Sequence, residues 1–586
     1  MNPPRGGRRL ALGKIRGAIE LPPVGHMGSA GAQDFRPQPF SAQEPGLAAA
    51  RRASAGQARR TAGPPIPPPA RVRLLPIMLA QIESGAILGV DAYPVRVEVD
   101  VALGLPGISI VGLPESAVRE GRERVMSALQ NCGLAVPPRR ITVNLAPADM
   151  RKVGSAFDLP IAIALLVASG SVPADACAGA CFAGELGLDG ALRGVRGALS
   201  LALRARDSGL GRLFVPSANG PEAAVAGGLD VRPAAHLADV VSHLRGVREL
   251  RRLEARLPEP AEPDGAPDLA DVRGQAHARR AVEIAAAGGH NVLMVGPPGA
   301  GKSMLARRMP GILPPLELTE AVEVTRIHSV AGLLAPEQAL VSERPYRAPH
   351  HGISDAGLIG GGGLPRPGEV SLAHHGVLFL DELPEFRTSA LEAMRQPLED
   401  GVVQIGRARQ SLRFPARFTL IAAMNPCPCG YHGADGDRCS CLPTHVLRYR
   451  SRISGPLWDR FDIHLELPAL RPAELGARAP GEASAQVRAR VVAARRRQQH
   501  RFVGRSCVHA NAHMGVAEVR RYCALEREGA AVLRSATERL GLSARAHDRI
   551  LRVARTIADL EGAEAVLRHH VAEAVQYRGL DRTPRV

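Results

Sequence analysis

The stretch NVLMVGPPGAGKSMLARRM constrains the fold more than any other part of this chain. An apolar strand runs directly into Gly296-Pro297-Pro298-Gly299-Ala300-Gly301-Lys302-Ser303, and a helical segment follows. This is the complete G-x-x-x-x-G-K-[ST] spacing in its strand–loop–helix setting. Glycines let the backbone wrap a polyphosphate, and successive N–H groups at the helix N-terminus bind the anion. Lys302 reaches the terminal phosphates as a compact point charge, and Ser303 offers a hydroxyl to Mg²⁺. Composition sharpens the assignment of Lys302. Among 74 cationic side chains only Lys14, Lys152 and Lys302 are lysines. A lysine that persists where arginine is used almost everywhere marks a position that arginine cannot fill.

Further along, GVLFLDELPEF is an apolar strand ending in Asp381-Glu382. An Asp at a strand end can complete a Mg²⁺ shell, and the neighbouring Glu can take a proton from a water attacking the terminal phosphate. RFTLIAAMN is a second such strand, ending in Asn425.

The rest of the chain divides by texture. At 586 residues it is too long for a single core. Residues 1–77 are rich in Pro, Gly, Ala and Arg and read as a disordered tail or an upstream extension. Residues 78–248 read as a mixed α+β domain. Short alternating strands come first, ESAVREGRERVMSALQNCG has helical spacing, and FDLPIAIALLVASG is a buried helix. A charged, Pro-rich linker spans 249–267. Residues 268–470 carry the rhythm of an α/β nucleotide-binding domain, and 471–586 are helical. No run is long and apolar enough for a membrane span and no secretory leader is visible, so a cytoplasmic protein with unpaired cysteines is expected.

The net charge of +17 is compatible with a polyanionic partner, but residues 1–77 hold twelve Lys/Arg against three Asp/Glu and so about half of it.

The ordered set resembles AAA+ ATPases, in which Asn425 would be the polar sensor that orients the water. SGPLWDRFDIHLEL resembles the segment in which magnesium-chelatase-type and MCM-type members carry an arginine finger, and there it places Arg460. LSARAHDRILRVARTIADL looks like the lid helix with the second sensor, Arg545 first and Arg549 second. More narrowly, the chain resembles the ComM/YifB family of magnesium-chelatase-like ATPases. The resemblance rests on GLPGISIVGLPESAVRE, RRITVNLAPADMRKVGSAFDLPIA, YRAPHHGISDAGLIGGGGLPRPGEVSLAHHGVLFLDELPEF, AAMNPCPCG and RYRSRISGPLWDRFDIH. It implies ATP and Mg²⁺ as cofactors, a homo-hexameric ring with nucleotide at subunit interfaces, and DNA translocation or branch migration. The fold it implies is a multidomain α/β chain: an N-terminal S5/Lon-protease-like α+β domain, a central AAA+ domain and a C-terminal helical lid.

FAGELGLDGALRGVRGALSLALRARDSG resembles the proteolytic domain of Lon. That chemistry needs a serine activated by a neutral lysine. No lysine lies between Lys152 and Lys302, and Ala156 falls near the nucleophile position with Ser155 beside it. Arginine does not give up its proton, so an inactive domain is expected.

GVVQIGRARQSLRFPARFTLIAA reads as two strands with a turn near Arg407–Gln410, a hairpin on which Arg407 and Arg409 would contact DNA phosphates. The pairs His350/His351 and His374/His375 lack acidic or thiol partners at metal spacing, so local hydrogen bonding is expected of them. Cys427/Cys429 and Cys439/Cys441 are two Cys-x-Cys pairs, readable as a structural Zn²⁺ site or as reduced structural thiols. The principal expectation is a DNA motor. The alternatives are a chelatase-like ATPase that remodels a protein or cofactor complex, a Lon-like protease, and a purely structural protein.

Overall fold

The computed structural model describes residues 79–255, 267–362, 365–407, 410–433, 438–468, 481–505 and 508–582. The tail 1–77 and Arg409 lie outside the described residues.

The N-terminal part is built on β1 (Leu79–Leu88), β2 (Asp91–Ala102), β3 (Gly107–Val111), β4 (Arg140–Ala146), β5 (Ala180–Phe182), β6 (Arg212–Pro216) and β7 (Asp230–Ala234). They form one sheet in the order β3-β4-β2-β1-β5-β6-β7. The long β1–β2 and β2–β4 pairings are antiparallel and the remaining ladders are parallel. Along β2 the buried side chains alternate, with Val95, Val97, Val99 and Val101 facing the core. Helix α1 (Ser116–Asn131) buries only one stripe, whereas α2 (Asp158–Ala168) is buried at every residue. A helix apolar on all sides must sit between layers, and α2 packs on β1 and β2 beneath α1. Helix α3 (Ala198–Asp207) covers the same two strands.

The central part is a five-stranded parallel sheet. Its strands are β8 (Val292–Val295), β9 (Tyr346–Arg347), β10 (Val377–Leu380), β11 (Thr419–Met424) and β12 (Ile463–Glu466), in the order β9-β10-β11-β8-β12. Strands β8, β10 and β11 are buried throughout, as expected where helices cover both faces. Helices α4 (Ala276–Gly288) and α5 (Lys302–Ile312) flank β8 in sequence, and α6 (Leu318–Ala331) touches the N-terminal part. There Ser329 Oγ accepts from Gly197 N–H at 2.9 Å, and Arg326 donates to Val90 O at 3.2 Å. The hairpin Val402–Arg407/Gln410–Pro415 forms with Arg407 opposite Gln410.

In the helical C-terminal part, α7 (Ser484–Arg501) packs on α4 and α5. Helix α8 (Ala544–Glu561) packs on α4 and α7. One apolar cluster runs from Val292 and Met294 of the sheet to Ile550, Ala554 and Ile557 of α8. Its polar centre is Asp559, 0% exposed, which accepts from Arg501, Arg555 and Asn511. Removing one partner of such a buried pair leaves charge uncompensated. Asp559→Ala is therefore expected to destabilise the protein by about 3–5 kcal/mol, read as a lowered midpoint in urea unfolding.

Among the described residues, no helix is long and apolar enough to cross a membrane.

Candidate nucleotide site

Parallel strands aim their C-terminal ends at one edge of the sheet, and three of those ends converge here. After β8 the chain turns through Gly296–Gly301 and enters α5 at Lys302. Gly299 and Gly301 hold φ of 78° and 84°, a conformation that costs other residues energy. Gly296 has no room for a side chain, since a Cβ there would meet Leu467 O at 2.5 Å. The loop is pinned from outside by Gln275, whose Nε2 donates to Ala300 O at 2.8 Å. The backbone is thus a preformed turn at a helix N-terminus, a fit to a polyphosphate.

Lys302 is 8% exposed. Its ammonium donates to Gly296 O at 2.7 Å, Pro297 O at 3.0 Å and Asn425 Oδ1 at 3.1 Å. Burial lowers its pKa, and the negative charges of Asp381 and Glu382 oppose that shift. Ser303 Oγ donates to Asp381 Oδ2 at 2.7 Å, which brings two hard oxygen donors together as a magnesium ion requires. Glu382 follows with φ 54°, a left-handed conformation rare for a residue with a side chain. Its Oε2 lies 3.0 Å from His351 Nδ1. The structure therefore brings Lys302, Ser303, Asp381, Glu382 and Asn425 to one edge of the sheet.

Arg460, Arg545 and Arg549 are elsewhere. Asn291, immediately before β8, donates to Arg460 O at 3.0 Å, so Arg460 lies at the N-terminal end of the strands. The four residues of β8 separate that end from the phosphate loop by about 13 Å of strand rise. Arg460 is mostly buried and pairs with Glu399. Burial, then the charges of Arg545 and Arg395, push its guanidinium below its ordinary pKa. Arg395 pairs with Glu392 at 2.8 Å, and Arg545 is exposed at the start of α8. Arg549 instead is buried, donating to Phe461 O at 3.3 Å and pairing with Asp462 at 3.5 Å. It serves as a structural pin, and of the two lid arginines only Arg545 is open to a partner.

The cysteines also converge. The Sγ atoms of Cys427, Cys429, Cys439 and Cys441 lie within 4.8 Å of one another. The Tyr431 backbone N–H, followed by the Cys427 side chain, pulls the Cys429 thiol down to about 6. The histidine pairs find acids that the linear sequence hid. His374 and His375 both place Nε2 2.9 Å from Glu323 Oε2, and His569 and His570 both lie 3.0 Å from Glu561. In each group the ligand atoms lie within 4.8 Å of one another. His374 Nδ1 accepts from Arg417 N–H at 2.9 Å, so its Nε2 carries the proton it gives Glu323. His570 Nδ1 likewise accepts from Leu567 N–H at 2.9 Å. Burial holds His374 neutral, with a pKa of about 4.

Arg407 stands at the hairpin tip, but its side chain, like all of Arg409, lies outside the described residues. In the N-terminal part Ser155 Oγ bonds Glu185, and Lys152 is fully buried with its ammonium on Pro147 O. No serine–lysine dyad appears among the described residues there. Gln275, Glu323 and Glu399 had no signal in the sequence, because each meets its partner from a distant segment, and the contact of His351 with Glu382 was hidden for the same reason.

Comparison with known proteins is decisive about the family. The description "Magnesium chelatase, subunit ChlI" matches residues 268–475, "Subunit ChlI of Mg-chelatase" matches 97–219, and the ChlI C-terminal description matches 481–578. The uncharacterized protein YifB of Salmonella typhimurium is 46% identical over 86% of this chain and 98% of its own length. Competence protein ComM of Haemophilus influenzae is 45% identical over 86% of this chain and 98% of its own. The chain belongs to the YifB/ComM family. The family's magnesium-chelatase-like core is of AAA+ ATPase type, which agrees with the loop around Lys302. Lon protease 2 of Bacillus subtilis is 30% identical over 33% of this chain and 39% of its own length, a partial likeness within the YifB/ComM frame.

Proposed function

We propose that this YifB/ComM-family protein is a ring-forming ATPase, a homo-hexamer, that turns ATP hydrolysis into translocation on DNA or branch migration. The observation that supports the reading is that the candidate loop residues and the candidate arginine Arg460 lie at opposite ends of one sheet. Lys302, Ser303, Asp381, Glu382 and Asn425 sit at one end, and Arg460 sits at the other. An ATP held by the loop is out of reach of its own subunit's Arg460, so that arginine serves the ATP of a neighbour. Lys302 offsets phosphate charge, Asn425 positions the attacking water, and Glu382 accepts its proton. Ser303 and Asp381 would hold a magnesium ion, which would supply further charge neutralisation on the phosphates. The four cysteines would hold a structural Zn²⁺. The DNA reading draws on the competence name of the ComM relative, the basic chain and the hairpin carrying Arg407 and Arg409.

The deciding experiment is ATP turnover with and without single-stranded, duplex and forked DNA. DNA is expected to raise turnover, with binding that falls steeply as salt rises. Turnover indifferent to every DNA at low salt would favour the chelatase-like alternative, remodelling of a protein or cofactor complex, which the three ChlI matches make the natural second reading.

The trans arrangement has its own test. Arg460→Ala is expected to lower turnover by about 10³-fold, the usual effect of losing such an arginine. Mixing Arg460→Ala subunits with Lys302→Ala subunits should restore activity, because intact loops then face intact arginines. Mixtures as inactive as their components would refute action in trans.

A further inference from the structure

We propose that Cys427, Cys429, Cys439 and Cys441 bind one Zn²⁺ whose occupancy holds the phosphate-binding loop in shape, making ATP affinity depend on the metal. The first half stands on the cluster alone; the second rests on the nucleotide site described above.

The sulfur geometry suits the ion. Cys427 Sγ lies 3.3 Å from Cys429 Sγ and 3.8 Å from Cys439 Sγ, and Cys429 Sγ lies 3.7 Å from Cys439 Sγ. A tetrahedron with Zn–S bonds of about 2.3 Å has edges of about 3.8 Å. Thiolate-only donors select a soft or borderline ion over magnesium or calcium. The backbone is also arranged for bound sulfur. Gly430, at φ 88°, turns the chain so that His432 N–H donates to Cys427 Sγ at 3.3 Å, while Gly430 N–H donates to Cys427 O at 3.0 Å. A backbone N–H placed in this way offsets charge on a metal-bound thiolate. Cys427 is fully buried, which suits a closed structural site.

The coupling follows from where that turn sits. A Cβ on Gly430 would lie 2.7 Å from Pro298 Cδ and 3.9 Å from Asn425 Cγ. The cysteine turn is therefore packed on the outer face of the phosphate loop. It also begins two residues after Asn425, which touches Lys302. With the metal in place, the turn supports Pro298 from outside and fixes Asn425 from behind. Without it, the two cysteine pairs have no bond to hold them together, and both contacts loosen.

The test uses the full chain, purified without added metal. Elemental analysis should give about one zinc per chain, and Cys427→Ser and Cys439→Ser should each lose it. Cobalt-substituted protein should show thiolate-to-cobalt charge-transfer absorption, which reports ligation without reference to ATP. Cys132→Ser, far from the cluster, should keep the zinc. A chelator-stripped protein that stays folded by circular dichroism should bind a fluorescent ATP analogue at least about 10-fold more weakly and recover on adding zinc. Pro298→Ala separates the two halves: it leaves the four ligands, the Gly430 turn and the metal in place, and stripping zinc from it should cost clearly less analogue affinity than stripping the wild-type protein, because the contact with Gly430 is already weakened. Absence of stoichiometric metal, or its retention in Cys427→Ser, would overturn the site. Unchanged analogue affinity in the stripped protein, or an equal loss on stripping wild type and Pro298→Ala, would overturn the coupling. Neither outcome depends on whether DNA stimulates turnover.

Discussion

Lys302→Ala is expected to reduce ATP turnover below about 1% of wild type and to weaken nucleotide binding by about 10²-fold or more. The ammonium is buried, and it holds two carbonyls of its own loop together with Asn425. Losing it removes a buried cation from the loop and leaves Gly296 O, Pro297 O and Asn425 Oδ1 without that donor. Lys302→Arg tests the geometry rather than the charge. A planar five-donor fork does not fit a cage built for a compact ammonium, so this variant is also expected to fail. Equilibrium binding of an ATP analogue, measured beside turnover, checks both. Wild-type turnover in Lys302→Ala would remove the loop from the mechanism altogether.

Glu382→Gln should behave differently, with ATP bound normally and turnover reduced by about 10²- to 10⁴-fold. The amide keeps the shape of the carboxylate but cannot accept the proton of the attacking water. Glu382 sits in a left-handed backbone conformation directly after Asp381, and its own N–H donates to Asp381 Oδ1 at 3.0 Å. That geometry holds the two acids in fixed relation, so the substitution leaves the Ser303–Asp381 contact in place. If the proposed ring forms, prolonged ATP occupancy should also stabilise it, seen as a larger species in sedimentation when ATP is present. Hydrolysis at the wild-type rate would mean that another group takes the proton.

His351 bears on the same step. It holds the Glu382 carboxylate from a segment outside the loop and the acid pair. A histidine partner is invisible in the sequence, because nothing local connects residue 351 to residue 382. The clamp of His374 and His375 on Glu323 is the same kind of finding. Local hydrogen bonding, the expectation for this pair, is not what the fold supplies: the acid lies a helix away, and its oxygen and the two imidazoles gather within 4.8 Å of one another.

What the sequence determined by itself was everything built from consecutive residues. A phosphate loop is a run of backbone N–H groups, so its residues must be neighbours in the chain. Asp381 and Asn425 were legible because each ends a short apolar run, and parallel strands present their C-terminal ends at one edge whatever their order. The cysteine pairs were legible because Cys-x-Cys puts two thiols on one short stretch of chain. Tertiary structure decided what depends on which strands are neighbours. The order β9-β10-β11-β8-β12 is not the order of the chain, and it places Arg460 behind Asn291 rather than beside Lys302. Helix packing then sorted two arginines that looked equivalent in sequence, burying Arg549 on Asp462 and leaving Arg545 exposed beside Arg460. The fit of Gly430 against Pro298 belongs to the same class. Contacts of this kind join segments far apart in the chain, and only the packing of the folded core sets their distance.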